Sequence, residues 1–332
     1  MLGTTATTCS YRYAYTTHIC TNIMPSYSLH TLYRFYLLQK DGIVIERPQF
    51  LFMRIAVAIH GTDLRRVLET YELLSSRAYT PATPVLYNAG TNLQHMASCF
   101  IYQPPVDNTL AVLEDSVARL DSYWAADGGI GMNLGYIPAR EYVYRSLRRC
   151  CADKPSPVIR SRSSGPVPLL DVYNSHARFL SLNRSRRSSS LTAYLPVWHA
   201  DIVPFIAACT HRSSLPAGLK HIFPALWVPD ILYSSLSGLL STVHMLTRVH
   251  CSMQRLRDNR PWSLFDPVDV PSLHDLTGSA FTAAYAEYEM SGLAVQQCDV
   301  NAIWSAIVAS QRETGTPFVL FQDNINGAHS SG

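Results

Sequence analysis

The sequence predicts a mixed α/β fold. Two segments carry apolar residues at helical spacing, and a third passes from a capped helix into a short apolar run, the helix-then-strand order of α/β proteins. The first segment starts at Thr62, a candidate N-cap, and sets Leu64, Val67, Leu68, Tyr71 and Leu74 on one face. The second starts near Asn108 and Thr109, with Leu110, Leu113, Val117, Leu120 and Trp124 on one side ahead of the break at Asp127-Gly128-Gly129. In the third, Asp299 caps a helix whose Ile303, Trp304, Ile307 and Val308 face inward, and Gly315 and Pro317 end it before Phe318 to Phe321. Upstream of all three, Lys40-Asp41-Gly42 separates the apolar runs 32–38 and 43–45, and its Asp-Gly dipeptide predicts a small hairpin.

Composition narrows the function classes. With 332 residues, 15% of them charged, the chain can bury a real core, and a net charge of +3 neither requires nor excludes an anionic ligand. The eight cysteines are scattered, form no C-x-x-C and are too sparse for a disulfide framework, which points to a reducing, cytoplasmic setting. The most apolar stretch, 221–246, is interrupted by Pro224, Pro229 and Asp230, so no membrane span is expected. Between Arg140 and Arg187 arginines, serines and prolines accumulate with few acids. That region reads as a solvated loop in preference to a nucleic-acid patch, because interleaved aromatic residues are missing. His199 beside Asp201 is the best metal candidate, but it is better explained by packing at the Trp198 turn, and no bound metal is expected.

The chemistry concentrates between Thr80 and Gly131. Thr80-Pro81-Ala82-Thr83-Pro84-Val85-Leu86-Tyr87-Asn88-Ala89-Gly90 is followed by Ala97-Ser98-Cys99-Phe100 and then Gly128-Gly129-Ile130-Gly131. Thr83 and Ser98 can donate hydrogen bonds to phosphate oxygens, and glycines let backbone N–H groups approach an anion. Cys99 adds a thiol. Each piece alone has a plainer explanation as a turn or a buried small residue; their order and spacing carry the signal.

In that order the motifs resemble the large subunit of class I ribonucleotide reductases. The resemblance extends through Glu46-Arg47-Pro48-Gln49, Met53-Arg54, Tyr173-Asn174, Trp198-His199-Ala200-Asp201-Ile202, Ala225-Leu226-Trp227-Val228-Pro229-Asp230, Trp262-Ser263-Leu264 and Glu313-Thr314-Gly315-Thr316-Pro317, spanning about Tyr27 to Asn326. It implies an α/β fold with a helical N-terminal region, followed by roughly the first half of a ten-stranded α/β barrel. The corresponding divisions are an irregular tail over 1–26, a helical region over 27–80 and a partial barrel over 81–332, with a basic insert near 140–165. It implies reduction of ribonucleoside diphosphates for DNA precursor synthesis. Thr83, Ser98, Cys99, Gly128 and Gly129 would meet the substrate, with Cys99 one thiol of the pair that becomes a disulfide. Asp107, Asn108 and Arg187 would meet an ATP or deoxynucleotide effector. The implied partners are a small subunit carrying a di-metal radical cofactor, a thioredoxin-type reductant and a second large subunit, with no metal in this chain.

The sequence also departs from the family pattern. The first effector loop of the family carries an Arg directly after an Ile, whereas here Ile137 is followed by Pro138, with Arg140 two positions later. The second loop reads Ser181-Leu182-Asn183-Arg184-Ser185-Arg186-Arg187 and lacks the family's glycine pair. The family's Asn-x-Cys-x-Glu segment, which holds the radical cysteine and the general base, does not occur before Gly332. The expectation is a truncated chain inactive on its own; the alternative is a nucleotide-binding or interaction remnant without catalysis. Half a barrel also exposes strand edges and an apolar inner face, so association is expected.

Overall fold

The computed structural model describes residues 26–105, 109–125, 128–141, 163–182, 189–210, 218–233 and 261–329. These fall into two compact units, one within Met1–Cys99 and Ala125–Gly128, the other within Phe100–Trp124 and Gly129–Gly332.

The first unit is mainly helical. Helix α1 (Ser26–Thr31) runs into a π-helical turn, Leu32–Tyr36. Strands β1 (Gln39–Lys40) and β2 (Ile43–Val44) then pair antiparallel around Asp41 and Gly42, whose φ angles of 51° and 76° both lie in the left-handed region that such two-residue turns require. The expected hairpin is therefore present, but its first arm is short, because Leu32–Tyr36 is helical. Extended Arg47 and Pro48 start α2 (Pro48–His60), the fixed proline φ suiting the first helical turn. Helix α3 (Leu64–Ser75) is capped by Asp63, whose side chain accepts from the Arg66 N–H at 3.2 Å. The expected cap at Thr62 is thus displaced by one residue to a carboxylate that reaches the third helical N–H. Val67, Thr70, Tyr71 and Leu74 are buried, while Leu64 and Leu68, expected inward, are 74% and 54% exposed. The buried stripe begins at Val67 and packs on Leu51, Phe52, Ile55 and Ala56 of α2. The short helix α4 (Thr83–Asn88) completes this layer.

The second unit is an α/β sheet. Strand β3 (Cys99–Tyr102) begins at the unit boundary, and after α5 (Thr109–Ala125) comes β4 (Gly129–Asn133). Helix α6 (Pro166–Leu182) crosses to β5 (Leu191–Pro196), α7 (Ile202–Ala208) to β6 (Ile222–Val228), and α8 (Asp230–Tyr233) follows. Beyond it lie β7 (Trp262–Leu264), a 3-10 turn (Pro271–His274), α9 (Gly278–Met290), β8 (Gln296–Cys298), α10 (Val300–Thr314), β9 (Phe318–Phe321) and α11 (Gln322–His329). Five strands form one sheet in the order β3-β4-β5-β6-β9, with β4/β5, β5/β6 and β6/β9 parallel. Parallel neighbours need crossover connections, and α6 and α7 provide them, the arrangement of an α/β barrel wall. Strands β7 and β8 pair separately and antiparallel.

Strand register sorts the sheet into two faces. Ile130, Leu191 and Ile222 align on the helix-covered face and are buried with Met132, Ala193, Leu195 and Leu226. Gly131, Thr192 and Phe223 align on the other face, with Tyr194 and Trp227 in edge contact there at 6.4 Å and Phe223 stacked on Phe318 at 6.3 Å. That second face is only half covered, with Phe223 and Phe318 exposed. In α5 the buried positions are Val112, Ser116, Leu120 and Trp124, while Leu113 and Val117 are half-buried and Leu110 lies outside the described side chains. Helix α10 is capped as expected: the Asp299 side chain accepts from Asn301 N–H, and Gly315 ends the helix in the left-handed conformation. Ile303 and Ile307 are buried, Trp304 is half-buried and Val308 faces outward.

Candidate functional site

In the first unit, a buried ion pair builds the segment that carries Thr83. The Arg54 Nε donates to Glu46 Oε1 at 2.8 Å and Nη2 to Oε2 at 3.1 Å, with both side chains almost fully covered. The rest of the guanidinium caps the end of α4, Nη1 donating to the Ala89 carbonyl and Nη2 to that of Leu86 at 3.3 Å. Glu46 Oε2 also accepts from Leu38 N–H at 3.0 Å. Gly90 follows with φ +70°, and a Cβ there would sit 2.8 Å from Arg54 Cγ, so the turn needs glycine for both conformation and space. Asn88 extends the scaffold by donating to the His95 carbonyl at 2.8 Å. Thr83 is the first residue of α4 and half-buried.

Ser98 and Cys99 lie at the entrance to β3. Cys99 is an exposed free thiol, and the Ser98 hydroxyl donates to its sulfur at 3.7 Å. Thr83, Ser98, Cys99 and Gly128 belong to the first unit, whereas Gly129 opens β4 in the second. Asp107, Asn108 and Arg187 lie outside the described residues, as does most of the basic region between Arg140 and Arg187.

Within the second unit, a buried polar cluster gathers beside the C-terminal ends of β4 and β5. His199 is fully buried; its Nε2–H donates to the Ile137 carbonyl at 2.9 Å and its Nδ1 accepts from Asp201 N–H at 3.0 Å, which fixes the Nε2-protonated tautomer. Burial keeps this imidazole neutral, below its usual range. Asp201 Oδ2 accepts from Arg140 N–H at 2.8 Å. Asp266 Oδ2 accepts from Ala139 N–H at 2.8 Å and its Oδ1 from Val268 N–H at 2.9 Å; burial pushes its carboxyl up to about 6 despite those donors. His274 stacks on Tyr136 at 3.8 Å and meets Trp198 edge-on at 4.9 Å, and burial lowers it to about 4. The pairing of His199 with the Trp198 turn expected from sequence is present as a hydrogen-bonded packing arrangement. Among the described residues no cluster of three or more His, Cys, Asp or Glu side chains could hold a metal ion, and no helix is long and apolar enough to cross a membrane.

Two parts of this scaffold escaped the sequence reading. Glu46 and Arg54 lie within the motifs that carry the resemblance, yet spacing alone does not reveal that they form one ion pair. Asp266 stands between Phe265 and Pro267 in an apolar stretch that also holds Asp269, and a carboxylate directly after Leu264-Phe265 is the available signal of a buried, backbone-satisfied group.

Comparison with known proteins matches this chain to two family models: the ribonucleotide reductase all-alpha domain over residues 24–94 and the ribonucleotide reductase barrel domain over 97–331. The two matches meet near the division between the structural units. Among curated relatives, the ribonucleoside-diphosphate reductase large chain of Schizosaccharomyces pombe is 34% identical over 301 residues, covering 90% of this chain and 33% of its own length. The large subunit from Arabidopsis thaliana is 33% identical, covering 90% and 33%, and that of Variola virus 32% identical, covering 90% and 35%. The chain therefore spans about a third of the length of the curated relatives it matches.

Proposed function

The chain belongs to the ribonucleotide reductase large-subunit family, and from that premise we propose that it supplies the substrate side of a ribonucleoside-diphosphate reductase. The single observation that carries this reading is the exposed Cys99 thiol beside the Ser98 hydroxyl at the start of a barrel-wall strand. A thiol used for reduction must be reachable by substrate and reductant, and a buried one such as Cys209, pushed up to about 12, is not.

In the proposed reaction, Cys99 and a second thiol are oxidised to a disulfide while the ribose loses its 2′-hydroxyl as water and gains hydrogen there. Two thiols thus supply the two electrons and two protons that the substrate takes up. Thr83, Ser98, Gly128 and Gly129 serve substrate binding through hydroxyls and backbone N–H groups. Effector contacts fall to Asp107, Asn108 and Arg187, and to the loop stem after Ile137 that carries Arg140; ATP or a deoxynucleotide is the ligand. A partner small subunit supplies the radical from its di-metal cofactor, a thioredoxin-type reductant restores the thiols, and a second large subunit completes a cytoplasmic assembly.

Alkylation tests the substrate reading directly. Millimolar ribonucleoside diphosphate should slow iodoacetamide labelling of Cys99 several-fold in the full chain, and Cys99→Ser should lose that label alone. Labelling that ignores the nucleotide would remove the proposed pocket. Reductase activity is a separate question, answered by deoxynucleotide formation in the presence of a competent small subunit and dithiol.

A further inference from the structure

The segment from Leu134 to Glu141 is held to a degree that its length does not require. Four consecutive residues are fastened: the Ile137 carbonyl by His199, the Pro138 carbonyl by the Ser163 hydroxyl at 2.8 Å, Ala139 N–H by Asp266 and Arg140 N–H by Asp201. Glu141 N–H then donates to the Ser163 carbonyl at 2.9 Å, and Ser163 Oγ accepts from Gly165 N–H at 3.1 Å. Ser163 therefore ties the stem after residues 142–162 to the stem before them, while His199, Asp201 and Asp266 hold the first stem. Gly165, at φ +76°, completes the closure, because a Cβ there would collide with Asp201 Oδ2. His199, Asp201 and Asp266 are almost wholly buried, and a buried carboxylate satisfied by loop N–H groups is a costly way to hold a turn that water could satisfy. At the end of this fixed backbone the Arg140 side chain is exposed.

We infer that His199, Asp201 and Asp266 are positioning residues that lock the stem ending at Glu141, to which Ser163 joins the second stem, and so fix where Arg140 is presented to a nucleotide phosphate. The nucleotide part rests on the effector reading of the loop after Ile137; the locking part does not. Every hydrogen bond in the unit shares a neighbour with the next, so loss of one acceptor loosens the others. The three side chains touch no ligand themselves.

Hydrogen exchange and nucleotide titration on the full chain separate the two parts. In Asp266→Ala, exchange at the Arg140 and Glu141 amides should rise about tenfold, although their own acceptors, Asp201 and Ser163, are unchanged. Strand β5 amides should keep their protection. Asp266→Asn, which retains one carbonyl acceptor, should restore part of the effect, and Ser163→Ala provides a milder variant that spares the buried carboxylates. Unchanged exchange at Arg140 and Glu141 in both Asp266→Ala and Ser163→Ala would overturn the locked unit. ATP affinity should fall several-fold in step with the exchange, and in Arg140→Ser without any change in exchange. Faster exchange with unaltered ATP affinity overturns the link to Arg140. If the unaltered chain binds no ATP at millimolar concentration while the exchange result holds, the lock stands and the effector reading fails.

Discussion

Arg54 and Glu46 show how a site can depend on residues that never meet a ligand. The pair is desolvated and its guanidinium is shared with the carbonyls of Leu86 and Ala89, so removing the cation leaves a buried carboxylate with only the Leu38 N–H beside it. Arg54→Leu should destabilise the first unit by about 3–5 kcal/mol, the usual cost of breaking rather than replacing a buried pair. Urea unfolding monitored by circular dichroism checks this; a change below about 1 kcal/mol, the range of exposed pairs, would show the pair to be solvent-screened. The buried titrating groups give a second, signed expectation. Asp266 titrates near 6 when folded against 3.8 as a free side chain, so between those values the folded chain retains a proton that the unfolded chain releases. Stability attributable to Asp266 therefore falls as pH rises from about 4 to about 6, and Asp266→Asn should gain on the native chain across that window. His274 acts with the opposite sign. Its value of about 4 against 6.5 means the unfolded chain takes up the proton first, so stability is lost as pH falls from about 6.5 towards 4, and His274→Phe should remove that loss while keeping the stack on Tyr136. Melting temperatures of the native chain and each variant at pH 4, 5, 6 and 7 separate the two contributions.

Elements were legible where a local rule was sufficient and shifted where tertiary packing chose among equivalents. Asp299 and Gly315 bound α10 as expected because capping oxygen and left-handed glycine act within one turn. Asp299→Ala should cost about 1 kcal/mol and Gly315→Ala about as much, each measurable by chemical denaturation of the full chain. By contrast Leu64, Leu68 and Val308 look inward on a helical wheel yet face out. Periodicity identifies an apolar stripe wider than the contact it feeds, and the neighbour decides which edge of the stripe is covered: α2 takes Val67, Tyr71 and Leu74. Thr62 and Asp63 are both acceptable caps by residue type, and only the backbone path selects Asp63. The hairpin turn was readable from Asp41-Gly42, whereas the helical course of Leu32–Tyr36 was not, since a short apolar run has no period of its own.

At the scale of the molecule, motif order implied a helical unit followed by a barrel-type α/β unit, and the five-stranded sheet has that form. Cys99 and Ser98 were readable as a pair because they adjoin in sequence. His199 and Asp201 were likewise visible as neighbours, but the part of Asp266 beside them was not, because Ala139 and Asp266 are separated by 127 positions. The same sheet makes a final prediction. Among the described residues its outer strands are β3 and β9; Ile101 of β3 is 92% exposed and Phe318 of β9 44% exposed, and the face that carries Phe223 and Phe318 is half covered. Exposed apolar side chains on outer strands favour contact with a second sheet, and natural proteins blunt such strands with charge. The chain should therefore associate as its concentration rises, and lysine at either edge should oppose this through repulsion and the cost of burying an ammonium group. Sedimentation velocity over a hundredfold concentration range tests it. Ile101→Lys and Phe318→Lys should each shift the distribution towards monomer and the double variant further. A native chain that sediments as a single monomeric species throughout that range would show these edges to be already protected.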